Sequence, residues 1–179
     1  IHNKYFVFAP SKTLIWGGVG ILNNEVYSNL LLKLSKKSKL IPVIVGTKED
    51  KNSIDEITKF LPKNFKVLNL AGKTSLKNLI PLINEAEFIL SNDNGIHHLS
   101  NFLTKKIITF FTFSSADAMK WNYIDSHIIF NKDFKCMPCI GNADGPFDNY
   151  PFKCPWSIRC KNTINDDQII KKMELLNFI

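Results

Sequence analysis

Apolar positions in the first 130 residues fall into two alternating kinds of run. Short aromatic and β-branched runs, Tyr5-Phe6-Val7-Phe8-Ala9 ahead of Pro10 and Ile41-Pro42-Val43-Ile44-Val45 ahead of Gly46, read as strands. Phe65–Leu70, Glu87–Ser91 and Lys106–Phe111 repeat that pattern. Between them apolar residues recur at three- and four-residue intervals, the helical period. Val26, Leu30, Leu31 and Leu34 mark a helix to about Ser35 that Asn23 or Asn24 would cap, and Ile54, Ile57 and Phe60 mark one over Asn52–Leu61. Leu76, Leu79, Ile80 and Ile83 give a third over Ser75–Glu85, capped by Ser75 or Thr74, and Gly95–Leu103 gives a fourth. A last helix, Asp166–Leu176, would be capped by Asn165 and pack back on the sheet.

Strand–helix alternation at this spacing is the pattern of an open parallel sheet with helices on both faces. The strands lack a clean in-out alternation, as expected when both sheet faces are buried. The rhythm breaks over residues 112–163, where an irregular insertion is expected, its Cys-containing part at 131–163. The prediction is therefore one α/β domain over residues 1–179.

Composition narrows this further. With 45% hydrophobic and 22% charged residues the chain is globular, neither disordered nor low in complexity. The longest apolar run, Ile107–Phe113, is strand-sized and far below the ~18–20 residues that span a bilayer. The chain starts at Ile1 and carries no basic-then-apolar leader, so it is expected to be a piece of a longer protein. A net charge of +7 comes from 23 basic and 16 acidic residues. Arg159 is the only arginine, which argues against bidentate base reading in duplex DNA; the lysines suit solubility, phosphates or an acidic membrane surface.

Open α/β sheets bind ligands beyond the carboxyl ends of their strands, so the strand-end loops are where chemistry belongs. After the first strand, Ser11, Lys12, Thr13 and Trp16-Gly17-Gly18-Val19-Gly20 offer hydroxyls, an ammonium and flexible N–H donors to a phosphate, although an ordinary glycine-rich loop has the same composition. After the second, Glu49 and Asp50 either accept ribose or sugar hydroxyls or favour the next helix through its dipole. Gly72-Lys73-Thr74-Ser75 follows the third. The most informative stretch follows the fourth: Asn92-Asp93-Asn94-Gly95 opens a helix, so backbone N–H groups face out of the carboxyl edge as a pyrophosphate would need. His98, one turn in, reaches toward a phosphate or sugar oxygen, whereas His97 reads as structural.

Leu70-Ala71-Gly72-Lys73-Thr74-Ser75-Leu76, then Asn92-Asp93-Asn94-Gly95 with His98-Leu99, resembles the donor half of glycosyltransferase family 9, the lipopolysaccharide heptosyltransferases. The family pattern is L-A-G-x-T-S-L followed by N-D-S/T-G-x-x-H-L, so Asn94 stands where the family has a small hydroxyl residue. The likeness runs over roughly residues 5–175, with its specific motifs between 69 and 99. It implies a two-domain (GT-B) glycosyltransferase of which this chain is the Rossmann-like C-terminal, nucleotide-sugar-binding domain, the N-terminal acceptor domain with the catalytic base being absent. It implies an inverting, metal-independent transfer of heptose from ADP-heptose to the lipopolysaccharide inner core. By the resemblance Ser11 and Lys12 contact donor phosphates and Glu49, or Asp50, the ribose. Thr74 falls beside the adenine, and Asp93, Asn94, Gly95 and His98 hold the diphosphate and heptose. The first loop departs from the family, with Trp16 followed by Gly17-Gly18 where a Lys precedes Trp-Pro. No catalytic residue is nominated, and the isolated piece is expected to be inactive. The implied setting is the cytoplasmic face of a Gram-negative inner membrane, where lysines meet anionic lipid and core phosphates.

Cys136-x2-Cys139 and Cys154-x5-Cys160 admit a structural zinc, two disulfides or reduced thiols, with no cofactor otherwise required. Two other readings remain: a family member using a UDP- or GDP-sugar, and a non-catalytic nucleotide- or nucleic-acid-binding α/β module with a zinc knuckle. The shortage of Arg and of aromatic-basic strands leaves no nucleic acid expected.

Overall fold

The structure is a computed structural model that describes residues 3–10, 21–112, 114–115, 117, 120–130 and 162–179. Six parallel strands form one sheet: β1 (Tyr5–Ala9), β2 (Ile41–Ile44), β3 (Leu68–Asn69), β4 (Ile89–Asn92), β5 (Ile107–Phe111) and β6 (Ser126–Phe130). Their order is β3-β2-β1-β4-β5-β6. The helices are α1 (Asn24–Lys37), α2 (Lys51–Lys59), α3 (Leu76–Asn84), α4 (Gly95–Phe102) and α5 (Asp166–Leu175).

Side chains alternate across a strand, and β1 distributes its residues accordingly. Phe6 and Phe8 point to the face covered by α1, α2 and α5, where they meet Leu30, Leu34, Ile54, Ile57 and Ile169. Tyr5, Val7 and Ala9 point to the face of α3 and α4, against Ile83, Leu79 and Leu99. Every residue of β1 is thereby buried, which is why no polar position interrupts it. Phe6 stacks on Phe88 at 4.9 Å between ring centroids, and Phe88 meets Phe178 edge-on, closing the core against the C-terminus.

The caps follow from sequence in two cases and not in a third. Ser75 accepts from Asn78 N–H, and Asn165 with Gln168 forms a reciprocal capping box, as short polar residues at a helix start should. Asn23 is the N-cap of α1, yet its side chain makes no capping bond and instead donates to Asn162, tying α1 to the segment before α5.

Two expectations about strands need correction. The third strand is a two-residue ladder, Leu68–Asn69, rather than Phe65–Leu70, because Phe65 is drawn into a turn by its N–H bond to Pro62 O. The stretch 112–163 is not irregular throughout, since Ser126–Phe130 pairs in register along β5. All five residues of β6 are only half-buried at the sheet's edge, so they lack the dense apolar signature of the inner strands. Among the described residues no helix is long and apolar enough to cross a membrane.

Candidate functional site

The strand order reverses between β1 and β4, which makes their carboxyl ends the switch point where open α/β sheets leave a crevice. Asn94 ties the two sides of that switch point together. Its Oδ1 accepts from Ile96 N at 2.8 Å and His97 N at 3.4 Å, capping α4, and also from the Ser91 hydroxyl at 3.0 Å. Its Nδ2 donates to Ala9 O at 3.2 Å, across to the end of β1. The side chain is thus spent on the protein, and the Gly95 N–H remains as the first-turn donor at the helix mouth. Among the described residues, nothing lies within 4 Å of a Cβ built on Gly95.

A second buried link holds the same edge. Tyr27 on α1 accepts from Leu22 N–H at 2.9 Å and donates to Asn92 Oδ1 at 2.7 Å. Burial pushes its phenol far above the ordinary 10.0, so it stays a donor at any physiological pH. Chain position 22, just after the first-strand loop, is thereby fastened to the end of β4.

The remaining nominated side chains take distinct environments. Asp93 is half-buried, its Oδ2 accepting from the Ser114 hydroxyl beyond β5. Its charge repels a phosphate placed directly on it and suits the hydroxyl donors of a sugar. His98 is exposed, and its Nδ1 accepts from the Trp121 indole N–H at 3.3 Å. His97 is fully buried, with Nδ1 2.7 Å from Thr109 Oγ1 and its ring edge-on to Phe111, the structural part expected of it.

On the other side of β1, the β2 and β3 loops are joined. Gly72 N–H donates to Gly46 O at 2.9 Å, and Gly72, at φ +69°, packs on the Lys48 stem with room for no Cβ. That fixes why a glycine precedes the Ser75 cap. Glu49 is exposed, while Asp50 is 1% exposed and accepts from Thr47 N–H at 2.8 Å, so only Glu49 offers a carboxylate to a ligand. Hydrogen bonds from the Thr47 hydroxyl and from its own N–H, with Lys48 nearby, hold Glu49 below the usual carboxylate range. The Thr47 hydroxyl lies 2.9 Å from Asp50 Oδ2 as well, and its single proton serves one carboxylate at a time. Thr74 is half-buried just ahead of α3.

Asp93, Asn94, Gly95 and His98 therefore gather at one helix mouth, with Glu49 and Thr74 on loops two and three strands away, ~10–14 Å at the usual strand spacing. Ser11, Lys12 and the four cysteines, Cys136, Cys139, Cys154 and Cys160, lie outside the described residues. Among the described residues no group of three or more His, Cys, Asp or Glu is placed to hold a metal ion. The sequence reading missed Tyr27, Ser114 and Trp121. Only the polar character of Asn92 at the end of an apolar strand hinted at the first.

An open parallel sheet with a helix mouth at its switch point defines a Rossmann-like α/β domain. Residues 3–147 match the family model of glycosyltransferase family 9 (heptosyltransferase), and the chain belongs to that family. It is 23% identical over 155 residues to lipooligosaccharide heptosyltransferase 2 of Campylobacter jejuni serotype O:6, covering 84% of this chain and 45% of that protein. The corresponding protein of serotype O:2 is 27% identical over 117 residues, 64% of this chain and 36% of its own length. The chain spans about half the length, or less, of these curated relatives. Among solved structures, E. coli ADP-heptose lipopolysaccharide heptosyltransferase II superposes with a TM-score of 0.74 at 19% identity, covering 97% of this chain and 46% of that one. E. coli heptosyltransferase WaaC with ADP-2-deoxy-2-fluoro heptose gives 0.64 at 13% identity, covering 96% and 43%. Both share the fold, a Rossmann-like half of a GT-B enzyme.

Proposed function

We propose that this chain is the donor-binding part of a glycosyltransferase that moves heptose from ADP-heptose to a lipopolysaccharide-core acceptor, with inversion and without a catalytic metal. The observation that carries this reading is the helix mouth at the switch point, which brings the exposed Gly95 at the start of α4, the Asp93 carboxylate and the exposed His98 ring to one end of the sheet. Family membership and the ADP-heptose relatives named above support it.

The chemistry follows from charge. Cleaving the glycosyl–phosphate bond leaves negative charge on the departing ADP. The positive end of α4, equivalent to roughly +0.5 charge, and the Gly95 N–H stabilise that charge as it grows. Lys12 would add to this by the family resemblance. Asp93 orients a hydroxyl of the sugar, Glu49 one of the ribose, and Thr74 lies beside the base. A base from the acceptor-binding half of the enzyme takes the acceptor proton. The lysine-rich surface would meet an anionic lipid face on the cytoplasmic side of the inner membrane. A zinc on the four cysteines remains a proposal. Metal analysis of the purified protein tests it, iron included because the structural neighbour TibC is described as an iron-containing glycosyltransferase.

Calorimetric titration of the intact protein with ADP, UDP and GDP at low salt is the test. Selective ADP binding is expected, weakened at least ~10-fold (~1.4 kcal/mol) by Gly95→Ala, while Asp93→Ala removes ~1–3 kcal/mol of ADP-heptose affinity. Gly95→Ala is expected to fold, since its Cβ meets no atom of the described residues within 4 Å. Selective UDP or GDP binding would overturn the ADP-heptose assignment, and a Gly95→Ala variant with wild-type affinity would remove the helix mouth from the site.

A further inference from the structure

Two polar side chains of the helix mouth are held by the same segment, the one that leaves β5. Ser114 donates to Asp93, and Trp121 donates to His98. The second contact settles a chemical question. An indole N–H is a donor only, and a neutral imidazole carries its proton on one nitrogen. With Trp121 Nε1 at 3.3 Å from His98 Nδ1, that nitrogen is the acceptor and the proton sits on Nε2. The His97 ring stands edge-on to His98 at 4.9 Å between centroids and is itself fixed by Thr109. His98 is thereby braced on one side by His97 and tilted 53° to the indole on the other, though exposed to solvent.

We propose that Trp121 is a positioning residue of the donor site: it holds His98 in the Nε2–H tautomer, so that the ring presents a hydrogen-bond donor to an oxygen of the bound nucleotide-sugar. Ser114 has the parallel part toward Asp93, keeping one carboxylate oxygen engaged and the other available to a sugar hydroxyl. An imidazole left to choose would populate both tautomers and rotate, and whenever it presented a bare nitrogen that atom would face a phosphate oxygen lone pair with no proton between them. The proposal rests on the donor-site reading above and adds which atom of His98 does the work and what fixes it.

The experiment has two readouts in the intact protein. Nitrogen-15 NMR of the histidine side chains in alkaline buffer, where imidazole is neutral, assigned with His98→Gln, should show Nδ1 unprotonated and Nε2 protonated in the wild type, and a tautomer mixture in Trp121→Phe. Calorimetry should show ADP-heptose binding ~3- to 10-fold weaker in Trp121→Phe, the range for one neutral hydrogen bond. The double variant Trp121→Phe/His98→Ala should bind no more weakly than His98→Ala alone, since Trp121 acts through His98. A wild-type protein with His98 in the Nδ1–H form or in an even mixture overturns the proposal without any variant. Wild-type affinity in Trp121→Phe, or an additive loss in the double variant, also overturns it, while leaving ADP binding and the donor reading standing. Absence of ADP-heptose binding by the wild type overturns both.

Discussion

Asn94 is one place where the family pattern and this sequence differ, and the structure turns that difference into a measurable quantity. Its Oδ1 caps α4 through Ile96 N and His97 N, and its Nδ2 reaches Ala9 O on the neighbouring strand. Asn94→Ala removes the cap, ~1 kcal/mol, and the bond to Ala9, a further ~1 kcal/mol, for a total of ~2 kcal/mol. In a chain of 179 residues that lowers the melting temperature by ~4–8 °C. Asn94→Ser keeps a capping hydroxyl but is too short to reach Ala9, so it should lose only ~1 kcal/mol. Urea unfolding followed by circular dichroism, with equal slopes for all three proteins, reads both values. A change below ~0.5 kcal/mol for Asn94→Ala would refute the reasoning, because capping alone sets a larger floor. Equal losses for Ala and Ser would show that the cap contributes nothing and the link to β1 everything.

Three further outcomes follow from the packing. Gly72→Ala forces a side chain into φ +69° with its Cβ 2.8 Å from Lys48 Cγ, and should destabilise by ~1–3 kcal/mol in the same unfolding assay. Tyr27→Phe strands the Leu22 N–H in the core, at ~1–3 kcal/mol, and removes the phenol's bond to Asn92 Oδ1, which thermal unfolding would register as a large drop despite the near-identical shape. Burial, then the charge of Lys172, holds His127 below its ordinary pKa of 6.5 in the folded state. The unfolded chain therefore takes up a proton first, and stability rises with pH up to ~6.5. His127→Gln should flatten the part of the stability–pH profile just below that value, and an unchanged slope would assign it to other groups.

The parts legible in the sequence are those whose causes are local. β1 announces itself as an unbroken apolar run, and β5 as one broken only by Thr109, because both sheet faces bury them, and Ser75 and Asn165 as short polar residues ahead of periodic apolar stretches. That Asp93, Gly95 and His98 share one helix mouth was readable because a helix that starts at a strand's carboxyl end brings nearby residues of the chain together there. β6 was not readable, since a half-buried edge strand gains its pairing from β5 rather than from its own composition. The same holds for Tyr27 with Asn92, 65 residues apart, and Trp121 with His98, 23 apart. Such pairs leave no spacing rule in the chain, because the fold alone brings them together.

The adjacent histidines show how finely that distinction operates. Successive helical residues point ~100° apart, so His97 and His98 cannot share an environment when α4 packs one stripe on the sheet. His97 takes the inward direction, where Thr109 satisfies Nδ1 and Asn101 Nδ2 bonds its carbonyl at 2.8 Å. His98 takes the outward one. The same partition runs through the whole mouth: Asn92, Asn94 and His97 turn their polar atoms to the protein, while Gly95 and His98 open to the crevice and Asp93 stands between them, half-buried. Inward groups make the mouth rigid by bonding to β1, α1 and β5, the first two distant in sequence. A site preorganised this way loses little entropy on gripping a ligand, which is what electrostatic stabilisation of a departing diphosphate requires. The inward polar residues therefore matter to the proposed chemistry as much as the outward ones, although none of them needs to touch the donor.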